Sequence, residues 1–365
     1  MSKKNKVTIL VAPLDWGLGH ATRCIPIISE LLNSGCKVII AAEGAQEKLL
    51  KTEFPDLIYV HLPGYRIKYT NNKRFFAIKI ISQLPKLFAA IRNEKKWLKD
   101  FVGQFRIDGV ISDNRYGLQM AGVSCIFITH QLLIKAPMAF VERRMQALNY
   151  YFIEKFSTCW VPDEKGPMNM AGHLSHPHKF PRMEIDYLGG ISRLVKNSSE
   201  IKYDFLIILS GPEPQRSKLE KKILLQFASF PGRVLLVRGL PGAEDILASS
   251  KNLSIKNHLS AQEISNAFNQ SEIIISRSGY TTVMDICKMQ KKSVLIPTPG
   301  QTEQEYLAHH LQQLNWCICI TQEEFSLEWM YQRIEKFQYQ LPFFSMDSYK
   351  PLVAEFVQKL KLNSN

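Results

Sequence analysis

The sequence predicts an α/β chain built from two consecutive doubly wound parallel sheets. Three observations carry that expectation. Short apolar runs alternate with amphipathic helical stretches along nearly the whole chain, the pattern of parallel strands joined by crossover helices. The runs are almost unbroken in Val, Ile and Leu, as strands covered on both faces must be. The series halts at a polar stretch, Gly189 to Lys202, and then begins again. A length of 365 residues suits two domains.

Taken in order, Val7 to Ala12 is a buried first strand that runs into Pro13-Leu14-Asp15-Trp16-Gly17-Leu18-Gly19-His20. The helix after it carries Ile25, Ile28, Leu31 and Leu32 on one face. It accommodates Pro26 in its first turn and stops at Asn33-Ser34-Gly35. Val38-Ile39-Ile40 and Leu57 to Val60 are the next strands. From Phe75 to Phe101 the pattern is helical, interrupted at Pro85. A fourth strand, Asp108 to Ser112, ends at Asp113-Asn114-Arg115, and a fifth, Ser124 to Ile128, ends at Thr129-His130-Gln131. A long helix over Met138 to Phe156 and a strand at Thr158 to Val161 close the first sheet.

The second series has strands at Phe205–Leu209, Val234–Val237, Ile273–Ile275, Val294–Ile296 and Cys317–Ile320. The expected division is a first domain over 1–190, a linker over 191–202, a second domain over 203–345 and a terminal helix over 346–365. Leu352, Phe356, Val357 and Leu360 give that helix an apolar side available to pack back on the first domain.

Composition narrows the classes. Hydrophobic content of 45% and charged content of 22% are ordinary for a globular protein. No apolar run approaches the roughly 20 residues that span a bilayer. The basic start Met1 to Lys6 leads into an apolar run ending at Pro13, which reads as a strand rather than a signal peptide. Seven scattered cysteines fit neither a zinc site nor a disulfide framework, so a reducing, cytoplasmic setting is expected. His173, His176 and His178 cluster without a metal-ligand spacing, and no metal or cofactor is expected. The net charge of +13 is uneven: residues 66–106 hold eleven Lys/Arg against Glu94 and Asp100. That segment reads either as core-facing helices with a solvated basic face or as a surface that rests on anionic lipid headgroups. It shows no nucleic-acid motif, so no nucleic-acid partner is expected.

The chemistry centres on Ser276-Arg277-Ser278-Gly279-Tyr280-Thr281-Thr282-Val283-Met284-Asp285, between two apolar strands. A strand, a Gly-containing turn and a helix start present backbone N–H groups and the positive end of a helix dipole, which favours an anion. Asp285 stands about two turns along, within reach of a ribose if a nucleotide phosphate docks at the turn. A second polar loop, Pro299-Gly300-Gln301-Thr302-Glu303-Gln304-Glu305, follows the next strand. Ligands of open α/β sheets bind at such adjacent loops. An ordinary helix start and surface loop would give the same pattern.

These residues resemble GT-B glycosyltransferases, above all the family-28-like group related to the UDP-glycosyltransferases. Gly17-Leu18-Gly19-His20 is similar to the group's Gly-rich first loop with its histidine. Ser276 to Gly279 followed by Asp285 is similar to its nucleotide-binding segment, and Glu303-Gln304 to the acid–amide pair that contacts the donor sugar. The resemblance implies two Rossmann-like domains facing a central cleft. It also implies transfer of a sugar from a nucleotide donor, a UDP-sugar by expectation, to a hydroxyl acceptor, without a metal and with inversion. One departure is the loop Ser210-Gly211-Pro212-Glu213-Pro214-Gln215-Arg216, whose prolines lack N–H donors.

On that reading His20 is the candidate base and Asp113 its orienting partner. Ser278 and Gly279, with Arg277 or Arg216, would receive the diphosphate. Asp285 would hold the ribose, and Glu303 and Gln304 the sugar. Gly17 and Gly19 shape the acceptor-side loop. Structural alternatives stay open: His20 capping its helix, Asp113 as a helix N-cap, Arg277 in a salt bridge elsewhere, Gly279 serving only a tight turn. A lipid-linked or envelope acceptor, and peripheral attachment to the inner face of the plasma membrane through 66–106, follow from the basic segment. The rival functions are a nucleotide-sugar 2-epimerase and a non-catalytic protein that binds nucleotide-sugar or anionic lipid.

Overall fold

The computed structural model describes residues 6–66, 76–136, 138–241, 243–245 and 247–363. They form two units, Met1–Ser192 with Ser345–Asn365, and Arg193–Phe344.

The first unit is a seven-stranded parallel sheet. Its strands are β1 (Thr8–Pro13), β2 (Lys37–Ala42), β3 (Ile58–His61), β4 (Gly109–Asp113), β5 (Ser124–Ile128), β6 (Thr158–Val161) and β7 (Glu184–Tyr187). They lie in the order β3-β2-β1-β4-β5-β6-β7. Helices α1 (Gly19–Asn33), α2 (Gly44–Glu53), α3 (Phe76–Gln104) and α4 (Ala139–Ile153) are the crossovers that parallel pairing demands. The central strands are covered on both faces, with Ile9 to Ala12 of β1 and all of β4 buried. The terminal helix α10 (Tyr349–Asn363) belongs to this unit. Phe356 meets Trp160 edge-on, with ring centroids 5.6 Å apart. A Cβ on Gly109 would lie 2.9 Å from Leu360, so glycine there lets the helix settle onto the sheet.

Three expectations are corrected here, the first being the interruption at Pro85, which α3 passes through without a break. The strand Thr158–Val161 does not close the sheet, because β7 pairs with it in parallel. Helix α1 starts at Gly19, so Pro26 lies in its interior rather than its first turn. Phe75 lies outside the described residues.

The second unit repeats the architecture. Strands β8 (Tyr203–Ile208), β9 (Val234–Val237), β10 (Leu253–Lys256), β11 (Ser271–Ser276), β12 (Lys292–Leu295) and β13 (Ile318–Cys319) are ordered β10-β9-β8-β11-β12-β13. Every pairing is parallel. Its helices are α5 (Gln215–Phe227), α6 (Ala261–Asn269), α7 (Tyr280–Met289), α8 (Thr302–Gln313) and α9 (Leu327–Lys336). Strand β10 adds to the strands the apolar runs predict, its Leu253 and Ile255 alternating with Ser254 and Lys256. The stretch from Gly189 to Lys202 holds no helix or strand. Its later part is tied to α6, with Val195 exchanging hydrogen bonds with the Ser265 hydroxyl and Asn197 N donating to Asn269.

Each sheet reverses its strand order once, between β1 and β4 in the first unit and between β8 and β11 in the second. Loops at the carboxyl ends of such strand pairs diverge and leave a crevice where ligands of open α/β sheets bind.

Candidate active site

In the first unit the reversal point carries a connected group of polar side chains. Strands β1 and β4 end level, with Pro13 opposite Asp113. The chain then passes through Gly17, whose φ of +69° places it in the left-handed region that glycine adopts without strain. It enters α1 at Gly19, so His20 and Arg23 project three residues apart on one face. His20 Nδ1 lies 2.8 Å from Asp113 Oδ1. Arg23 grips the same carboxylate with a two-pronged fork, Nε 2.5 Å from Oδ2 and Nη2 against Oδ1. Its Nη2 is also 2.9 Å from His20 Nδ1, and Nη1 is 3.3 Å from Nδ1 of His130, just past the end of β5.

These groups are taken out of water. Asp113 is fully buried and Arg23 is 2% exposed, while the His20 side chain keeps 15% of its surface. Burial alone pushes the Asp113 carboxyl upward. The Arg23 guanidinium, then His20, outweigh that effect and hold it well below the usual carboxylate range. Burial, reinforced by Asp113, pushes the neighbouring Cys24 thiol well up.

The structural alternatives for this pair fail on geometry. No helix begins after Asp113, where Asn114 turns the chain at φ 56°, so the carboxylate is no N-cap. His20 is the second residue inside α1, and its ring turns to Asp113 rather than to the helix end.

The loop before His20 is braced from behind. Asp15 accepts the N–H groups of Tyr65 and Arg66, and the Gln46 amide donates to Gly17 O at 3.1 Å. Deeper, Arg115 and Glu94 form a buried ion pair at 2.7 Å. The Tyr65 hydroxyl and Gly117 N also donate to Glu94, and Arg115 bonds the carbonyls of Pro13 and Pro63. Burial still pushes the Glu94 carboxyl up, against the pull of Arg115.

In the second unit, Gly279 is the N-cap of α7 and brings no side-chain cap to that helix. Its φ of −69° is open to any residue, and a Cβ there would meet nothing within 4 Å. Neither a tight turn nor packing therefore requires glycine at this position. Ser278 is buried and donates to Gln304 O at 2.8 Å, which ties this turn to the first turn of α8. Beside them the buried Thr298 hydroxyl has no partner among the described residues. A Cβ on Gly211, in the loop after β8, would come within 3.4 Å of it. Asp285 and Glu303 are half-buried, on α7 and in the first turn of α8.

Three residues expected to face the donor are otherwise engaged. Arg277 is buried, donating to the carbonyls of Ile296, Pro297 and Gln215 and to the Gln322 side chain. Burial lowers its pKa to about 10. It clamps loops together, and it does so through carbonyls rather than the salt bridge considered as its alternative. Arg216 is held by Glu213, Glu220 and the Ser217 hydroxyl, with Glu220 also gripping Arg238. The Gln304 amide accepts from Thr298 N and donates to Gln301, which spends it on its own loop. In the proline-bearing loop, the amides of Gln215 and Arg216 bond back to Pro212 O, and that of Ser217 bonds to Glu213.

Sequence reasoning missed Arg23, His130 and Thr298. Arg23 had a legible signal, because a helix starting at Gly19 puts it one turn from His20. The histidine cluster is structural: His176 stacks on Tyr187 at 4.8 Å and binds the Ser175 hydroxyl. Among the described residues no three His, Cys, Asp or Glu side chains converge to hold a metal ion, and no helix is long and apolar enough to cross a membrane.

The chain resembles known proteins in sequence and fold. Residues 241–357 match the glycosyltransferase family 28 C-terminal domain. The UDP-N-acetylglucosamine--N-acetylmuramyl-(pentapeptide) pyrophosphoryl-undecaprenol N-acetylglucosamine transferase of Listeria monocytogenes serotype 4b is 33% identical over 275 residues, 72% of this chain and 73% of that protein. The protein of the same name from serovar 1/2a is 23% identical over 322 residues, 84% of each. Among solved structures, Acinetobacter baumannii MurG superposes with a TM-score of 0.57 at 14% identity, over 97% of this chain and 100% of that one. The glycotransferase of kitacinnamycin gives 0.64 at 12% identity, over 98% and 94%. These matches do not favour the epimerase or binding-protein readings. The chain belongs to glycosyltransferase family 28: it is a GT-B hexosyltransferase that works from a nucleotide-sugar donor.

Proposed function

We propose that this enzyme transfers a hexosyl unit from a UDP-sugar to a hydroxyl of a lipid-linked acceptor, with inversion, at the inner face of the plasma membrane. The His20–Asp113 contact at the strand-order reversal carries the proposal. With Nδ1–H donated to Asp113, the lone pair of His20 sits on Nε2 and accepts the proton of the attacking hydroxyl. The oxygen forms a bond to the anomeric carbon as the bond to the diphosphate breaks. The charge that develops on the leaving group is met by the N-terminus of α7, whose N-cap is a glycine that brings no side chain of its own. Gly279 keeps that approach open, Asp285 takes the ribose and Glu303 the sugar hydroxyls. Arg277, Arg216 and Gln304 support these loops from behind.

The relatives named for a UDP-sugar donor and an undecaprenol-linked acceptor support both substrate classes. The first unit also offers a surface for the interface. Phe140 is 66% and Met138 51% exposed at the start of α4, beside exposed Arg143 and Arg144. Phe88, 43% exposed, contacts Phe152, and the preceding residue, Tyr151, lies exposed under Lys155. Apolar side chains among basic ones suit an anionic lipid surface.

A thermal-shift comparison of UDP, GDP and dTDP tests the donor. Binding at 100 times the dissociation constant adds about 2.7 kcal/mol to the folded state. A selective rise with UDP is expected, and equal responses to all three would refute the UDP assignment.

A further inference from the structure

The His20–Asp113 pair has a third member whose placement governs what the pair can do. Asp113 is completely buried, and an isolated ionised carboxylate in that position would be strongly disfavoured. Two groups within reach can supply a positive charge, Arg23 always and His20 only when protonated. The remaining groups around it, the Cys24 thiol 3.7 Å from Oδ2 and His130 beyond Arg23, carry no compensating charge when neutral. If Arg23 did not neutralise the carboxylate, the imidazole would have to, by holding a proton. An imidazolium has no lone pair and cannot act as a base.

His20 Nδ1 itself faces two partners, Asp113 Oδ1 at 2.8 Å and Arg23 Nη2 at 2.9 Å, and a neutral ring places at most one hydrogen there. With that hydrogen directed at the carboxylate, Nε2 is left as the acceptor. We propose that Arg23 is a positioning residue, whose fork neutralises Asp113 so that the carboxylate fixes the tautomer and direction of the His20 ring without loading it with a proton. The proposal rests on His20 serving as the base, and it adds how the buried carboxylate beneath that base is neutralised. The fork geometry matters as well as the charge, since Nε and Nη2 meet the two oxygens separately and hold the carboxylate in one plane.

The test is the titration of His20 by 15N imidazole NMR in the intact enzyme, its signals assigned with His20→Gln, beside the pH profile of kcat/KM. In Arg23→Met, His20 should hold its proton to a pH about one unit higher or more, because Asp113 keeps its charge and loses its other partner. The acidic limb of the profile should move the same way. Arg23→Lys should bring the titration part of the way back, and adding Asp113→Asn to Arg23→Met should abolish the shift. An unchanged His20 titration in Arg23→Met would overturn the proposal. If Arg23→Met fails to fold, Arg23→Lys carries the test, with a smaller upward shift expected and no shift overturning it. The NMR reading does not depend on turnover, so it separates this proposal from the base assignment, which full activity in His20→Ala would remove by itself.

Discussion

The Nδ1 atom of His20 lies 2.8 Å from Oδ1 of Asp113, although 93 positions separate the two residues in sequence. Parallel pairing brings them together: β1 and β4 are neighbours that end at the same level, and α1 begins one short loop later. If this contact prepares a base, His20→Ala should lower turnover by roughly 10²-fold or more while leaving UDP binding nearly unchanged. Asp113→Asn should also slow turnover, since an amide fixes the tautomer less firmly. Steady-state transfer rates with donor titrations check both.

The same carboxylate ties stability to pH. The folded protein holds Asp113 below its ordinary range, so its contribution is fully present above about pH 4 and is lost as the pH falls through the folded value. Asp113→Asn leaves the buried Arg23 without its counter-charge, which should cost about 3 kcal/mol at neutral pH. Denaturant unfolding should show that difference narrowing as the pH drops below about 4. A constant difference across the range would exclude this linkage.

Gly279 allows folding and donor binding to be separated. Its backbone suits any residue and its surroundings are empty, while serine is a favourable helix N-cap. Gly279→Ser should change stability by less than about 1 kcal/mol, in the stabilising direction. Its hydroxyl would occupy the start of α7 and raise the donor KM. Unfolding curves and donor titrations on one sample read the two effects.

Arg277 should behave as a clamp. Arg277→Lys and Arg277→Met both lose the fork that holds three backbone carbonyls, and each should cost about 2 kcal/mol of stability. If lysine restored donor affinity where methionine did not, charge on the diphosphate would be the role, and the buried geometry would be misleading.

How much the sequence disclosed followed from burial. Strands β1, β8 and β11 were legible because both faces are covered along their unbroken apolar runs, Ile9 to Ala12, Phe205 to Ile208 and Ile273 to Ile275. Edge strands β7 and β10 were not, since Glu184-Ile185-Asp186-Tyr187 and Leu253-Ser254-Ile255-Lys256 alternate or expose polar groups. Among site residues, His20 and Asp113 were read from their positions just beyond strand ends. Arg216 and Arg277 were read as anion binders because sequence gives a charge without the direction of a long side chain. In both, nearby carboxylates or carbonyls claim the guanidinium. Arg23 is hidden in the sequence because Pro26 suggests a later start for α1 than Gly19, which takes Arg23 out of the helix and off the face it shares with His20.

Sugar transfer from a UDP-hexose is the central claim, and the most direct test is release of UDP by the purified enzyme when a polyprenyl-pyrophosphate-linked glycan is added in acidic lipid vesicles. Release should depend on the acceptor, with one glycosylated product per UDP, and should fall by roughly 10²-fold or more in His20→Ala. Acceptor-independent release of UDP, or the same rate in wild type and His20→Ala, would contradict that claim.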